Sequence, residues 1–91
     1  MDYTLEGKYR IAGKIISFRR DVSVDDGRIN GKGLEGRMDE GELIFRTDDM
    51  SFGLSRRIKG KDFGIYAGEF SINGVYAGDA AAVMKRCSQR Q

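Results

Sequence analysis

The segment SRRIKGKDFGIY, residues 55–66, places Arg56, Arg57, Lys59 and Lys61 close to Phe63 and Tyr66. Clustered cations with aromatic rings nearby are a composition that contacts phosphates and stacks on bases. Arg56, Arg57, Lys59, Lys61 and Tyr66 are therefore the candidate binding residues. A solvated hairpin tip with its apolar residues turned inward explains the same composition, since acidic residues adjoin the cations.

Other reactive groups are sparse. The chain has no histidine, which removes the usual general base near neutral pH and the commonest metal ligand. Carboxylates occur in short groups, Asp25 with Asp26, Asp39 with Glu40 and Glu42, and Asp48 with Asp49. Each group sits where a turn is expected, and turn formation accounts for it without catalysis. A zinc site lacks ligands, the acidic turns do not follow calcium-loop spacing, and no metal or cofactor is expected. Cys87 is the single cysteine. It cannot form an intrachain disulfide, which fits a reducing, cytoplasmic setting, and its apolar neighbours Val83 and Met84 suggest an inert buried thiol.

Sixteen basic residues against fourteen acidic ones give a net charge of +2, well short of the excess that marks a dedicated nucleic-acid binder. No apolar run approaches membrane-spanning length, so membrane insertion is not expected. At 91 residues the chain reads as one domain with a modest core.

The elements that must position these residues read as strands. Met50, Phe52 and Leu54 alternate with small residues, as do Val22 and Val24, while Phe63, Ile65, Phe70 and Ile72 supply further apolar positions. Turn-forming residues punctuate them: Asp25-Asp26-Gly27, Asp39-Glu40-Gly41, Asp48-Asp49, Lys59-Gly60 and Asn73-Gly74. A short repeat reinforces the pattern: RIAGK at 10–14, RINGK at 28–32 and RIKGK at 57–61, with SINGV at 71–75 keeping its centre. Chance would produce roughly 0.01 matches to the full motif. The x-Gly pair suits a two-residue hairpin, and no copy runs into the helix that a phosphate loop needs. At the second copy, Asp26-Gly27 and Asn30-Gly31 compete for one hairpin, and a bulge at one of them is expected.

The stretches LEGRMDEG and YAGEFSING resemble, locally, the MORN repeat, a β-hairpin unit that starts Tyr-x-Gly-Glu-Trp. The tryptophan and a regular period are missing. Toward the C-terminus, Asp79 followed by three alanines, with Val83, Met84 and Cys87 spaced by three and four, predicts a helix over residues 79–88 and a frayed tail at 89–91.

The expected fold is all-β, β-rich with one C-terminal helix. Six or seven short strands between about residues 3 and 78 form an antiparallel meander, coiled into a small barrel or half-barrel with the helix packed on its open side. That outline resembles the pleckstrin-homology-like architecture. Strand alternation should put the turns at 25–27, 48–49 and 73–74 at one end, with Asp25, Asp26, Asp48 and Asp49, and those at 39–41 and 59–62 at the other, with Arg37, Arg56, Arg57, Lys59 and Lys61 diluted by Asp39, Glu40 and Glu42. The leading functional expectation is a non-enzymatic module that binds another protein through a sheet face or edge, with a homodimer as a variant. Nucleic-acid or other polyanion binding through residues 56–61 is the alternative, and a carboxylate-based enzyme ranks third.

Overall fold

The computed structural model describes residues 1–87 as eight strands: β1 (Asp2–Ile11), β2 (Lys14–Asp25), β3 (Arg28–Gly31), β4 (Leu34–Met38), β5 (Glu42–Thr47), β6 (Met50–Lys59), β7 (Phe63–Ile72) and β8 (Val75–Arg86). Each pairs antiparallel with its neighbours in sequence, and β8 returns to pair with β1, closing the barrel. The Val24 N–H donates to Met1 O at 2.8 Å, and from Val24 a row of partners runs through Ile29, Gly36, Phe45, Phe52 and Phe70 to Gly78. A Cβ placed on Gly78 would lie 2.9 Å from Arg10 O. The row thus leaves β1 at one end and returns near the other, a stagger of about ten residues, which with eight strands means steep tilt and an interior that side chains can fill.

Period-two alternation fills that interior. Leu5, Val22, Ile29, Leu34, Leu43, Phe45, Phe52, Leu54, Tyr66, Phe70 and Met84 are buried. Phe45 stacks on Phe52 with centroids 4.5 Å apart, Phe70 lies 5.7 Å from Phe52, and Tyr9 lies 4.8 Å from Phe70. Gly7 makes room for Phe18, whose ring tip would sit 2.4 Å from a Cβ there.

The expected C-terminal helix is absent; the segment is β8. Met84 points inward at 1% exposure while Val83 is half-buried on the outer face. Ala82 is paired with Gly7 and Tyr66, and Ala80 with Tyr9 and Gly68. Small side chains are required here because aromatic rings from neighbouring strands occupy the interior. Alanine's helix preference, under about 1 kcal/mol per residue, yields to hydrogen bonding along both edges and to core burial. Cys87 is half-buried beyond β8 rather than on a helix face. Its N–H donates to Asp2 O, and its Sγ lies 3.5 Å from Thr4 Oγ1. Residue 88 and the tail at 89–91 lie outside the described residues, and the pleckstrin-homology-like outline, which needs the helix, does not hold.

The repeated motif has three different fates. Ala12-Gly13 and Asn73-Gly74 are two-residue hairpin turns with positive φ at both positions, 52° and 77° in the first and 51° and 83° in the second. The third copy turns over residues 60–62, closed by a bond from Gly60 N–H to Phe63 O. The second copy is strand β3, not a turn. Asp26-Gly27 makes the hairpin before it and Lys32-Gly33 the one after, so neither competing pair is a bulge. Gly31 is a close-approach glycine, where a Cβ would lie 2.9 Å from Val22 Cγ1.

That additional hairpin brings the strand count to eight and moves one turn, at 26–27, to the end opposite the expected one, while those at 48–49 and 73–74 stay opposite the turns at 39–41 and 60–62 as expected. The turn at 26–27 shares an end with those at 39–41 and 60–62, opposite the turns at 12–13, 32–33, 48–49 and 73–74. Asp25 and Asp26 therefore lie at the same end as the basic hairpin, and the expected segregation of charge is lost. The wall is also uneven. Strands β3, β4 and β5 have 4, 5 and 6 residues, whereas β1, β2, β6, β7 and β8 have 10 to 12.

Candidate functional site

At the end of the barrel that holds the basic hairpin, Arg56, Lys59, Lys61 and Tyr66 line a cleft of about 170 Å³ together with Tyr3, Asp39 and Asp62. Arg57 does not line it; it falls at the register shift between Arg56 and Ile58. Tyr66 is 3% exposed, with its ring in the barrel, so it offers no free face for base stacking. Burial pushes its phenol above the usual range, against the opposing pull of Arg56. Asp39 accepts hydrogen bonds from the N–H groups of Gly41 and Glu42, both at 3.0 Å. Those two bonds hold its carboxyl below the usual range, with Arg37 and Arg56 adding to the effect. This arrangement closes a turn and leaves four cations, Arg56, Lys59, Lys61 and Arg86, beside two acids. Among the described residues no group of three or more acids or thiols is placed to hold a metal, and none forms a helix long and apolar enough to cross a membrane.

A second concavity, open and about 970 Å³, lies along β3, β4 and β5. Arg28 and Arg37 are direct cross-strand partners there, and Ile44 follows Arg37 on the next strand. Like charges in this position repel. The wall is zwitterionic: Arg46 reaches Glu35 at 3.8 Å, and Asp26, Asp39 and Glu42 contribute to it.

The third feature is a strand edge. β2 has 12 residues but meets the four-residue β3 only over positions 22–25, so positions 14–21 pair with β1 alone. Because Val24 exchanges bonds with Met1, antiparallel alternation turns the backbone groups of Ile16, Phe18 and Arg20 toward β1. It turns those of Ile15, Ser17 and Arg19 outward. Five of those six outward groups have no partner among the described residues; the sixth, Arg19 O, accepts a bond from Arg20 Nη1 at 3.0 Å. The Arg20 guanidinium also lies 5.9 Å from the Phe18 ring centroid.

Side chains along this edge are unusually apolar for their exposure. Ile15, on the outer face, is 60% exposed, and Ile16, on the inner face, is 41% exposed. A long open edge beside apolar residues invites pairing with another strand, and short edge strands are one means by which proteins suppress it. Here the long edge arises because the low wall of β3 to β5 leaves a notch beside the upper half of β2.

Comparison with protein-family models, with curated proteins and with solved structures found no match. The residues of this edge were not among the sequence candidates. Their one signal in the sequence is KIIS directly after a hairpin turn, two adjacent isoleucines where alternation allows one to face inward.

Proposed function

We propose that this protein is a non-enzymatic binding module that captures an extended segment of another protein by adding it as a strand to the free edge of β2. The single observation that carries this reading is the run of outward backbone groups on Ile15, Ser17 and Arg19 beside a gap in the barrel wall. A strand laid there continues the sheet: main-chain bonds supply affinity, and alternate side chains supply selectivity. Six main-chain bonds form and the Arg20 bond to the Arg19 carbonyl is given up, a net of five at about 0.5–1.5 kcal/mol each, or roughly 2.5–7.5 kcal/mol. Covering Ile15 and Ile16 adds to this, and loss of translational and conformational freedom opposes it. The polyanion reading has less support, because Tyr66 is turned inward and Asp39 and Asp62 adjoin the cations.

Replacing Ser17 by proline tests the reading. Proline removes an N–H that faces away from β1, a position that an edge strand tolerates. The variant should fold, show an unchanged circular dichroism spectrum and lose partners that the wild type retains on an affinity column. Equal capture of the same proteins by a folded Ser17→Pro variant would overturn strand addition at this edge.

A further inference from the structure

The charges along the open edge bear on what can occupy it, an argument that rests on the strand-addition reading. Positions 14–21 carry Lys14, Arg19 and Arg20 against Asp21 alone. Lys8 is paired with Ser17 and Arg10 with Ile15 on the neighbouring strand, while Glu6 is paired with Arg19. Neither of the two ion pairs formed among the described residues uses Arg19 or Arg20. Arg20 is held by a bond to the carbonyl of Arg19, an outward group that an incoming strand would claim.

We infer that the segment taken up by β2 is acidic and alternating. On the inner face its residues cover Ile16 and Phe18 with apolar groups and meet Arg20 with a carboxylate. On the outer face they meet Arg19 with a second carboxylate. Displacing Arg20 from the Arg19 carbonyl then exchanges one bond for two, a main-chain bond to the strand and a charged bond to its carboxylate. A second copy of the chain is a poor occupant. Antiparallel self-pairing of this stretch about a two-fold axis sets three cations and one acid against the same set, and like charges facing each other across a ladder repel.

The test uses three capped octapeptides and fluorescence anisotropy. One alternates glutamate with valine or isoleucine, the apolar residues opposite Ile16 and Phe18 and a glutamate opposite Arg19, and carries one further glutamate opposite Arg20; one carries lysine at every glutamate position, and one has the acidic composition in a scrambled, non-alternating order. The acidic alternating peptide should bind best, and its affinity should fall as salt rises. The lysine peptide should bind roughly tenfold more weakly, the factor expected when two exposed charge pairs change from attraction to repulsion. In an Arg19→Glu, Arg20→Glu variant the preference should invert. Arg19→Glu alone, on the exposed outer face, should narrow it if the double variant fails to fold. Equal binding of the acidic and lysine peptides, lost in Ser17→Pro, would overturn the acidic assignment and leave strand addition standing. Binding of neither peptide would overturn both readings. Self-association of the wild type that disappears in Ser17→Pro would overturn the acidic partner in favour of a second copy.

Discussion

Substitution of Met84 by alanine, compared with the same change at Val83, tests whether β8 is a strand of the barrel. Met84 is 1% exposed and lies between Leu5 of β1 and Gly64 of β7, while Val83 is half-buried on the outer face beside Glu6 and Ile65. Truncating a buried methionine costs about 2–5 kcal/mol, counting both lost transfer and the cavity left behind. Truncating Val83 removes two methyl groups that are already partly hydrated, a loss of about 1 kcal/mol. Guanidinium unfolding followed by tyrosine fluorescence would measure both. With a slope of about 2–2.5 kcal/mol per molar for a chain of this size, the midpoint should fall by about 1–2 M for Met84→Ala and by less than about 0.5 M for Val83→Ala. A helix would place both residues on one buried face and make the two losses similar. Equal shifts, or a larger one at Val83, would refute the inward–outward alternation on which barrel closure depends.

Arg37→Gln should stabilise the fold by a few tenths of a kcal/mol at low salt by removing the repulsion from Arg28, and the gain should shrink as salt rises; destabilisation at both ionic strengths would refute the repulsion. For Tyr66, a folded pKa above the unfolded value near 10 means that its contribution to stability is intact below about pH 10 and is lost as pH rises through the folded pKa. Tyr66→Phe should therefore flatten the alkaline limb of a stability profile, and an unchanged limb would count against burial of the phenol. Replacing Arg57, Lys59 and Lys61 by glutamate should alter stability by less than about 0.5 kcal/mol per site and leave capture at β2 intact, as urea titration and column retention would show.

Much of the fold was legible because its signals are local. Positive φ at Gly13, Asp26-Gly27 and Asn73-Gly74 follows from residues that tolerate it, whereas Ala12 takes it up because the hairpin requires it, and the inward set of Phe52, Leu54, Phe70 and Ile72 follows from alternation. The misreadings share one cause. Asn30-Gly31 has the composition of a turn, yet its glycine serves an approach to Val22 that depends on which strand lies alongside. The alanines of β8 have the composition of a helix, yet they are small because rings from β1 and β7 need the space.

The candidate site was less legible for the same reason. Arg56, Lys59 and Lys61 do meet Tyr66 at one cleft, as their proximity in sequence suggested, but whether a ring faces in or out is decided by register. The free edge of β2 comes from a mismatch between a strand of 12 residues and a partner of four. No composition or spacing records that mismatch, because it appears only once the pairing is known.

Residue-resolved amide hydrogen exchange of the free protein examines that edge most directly. In an antiparallel pair, amides bonded to the neighbouring strand are protected and those facing open solvent are not. The amides of Ile16, Phe18 and Arg20 should exchange slowly and those of Ile15, Ser17 and Arg19 fast, with the fast set slowing when the acidic alternating octapeptide is added. Uniform slow exchange from residue 15 to residue 20 in the free protein would mean that the edge is already covered, and would contradict the account.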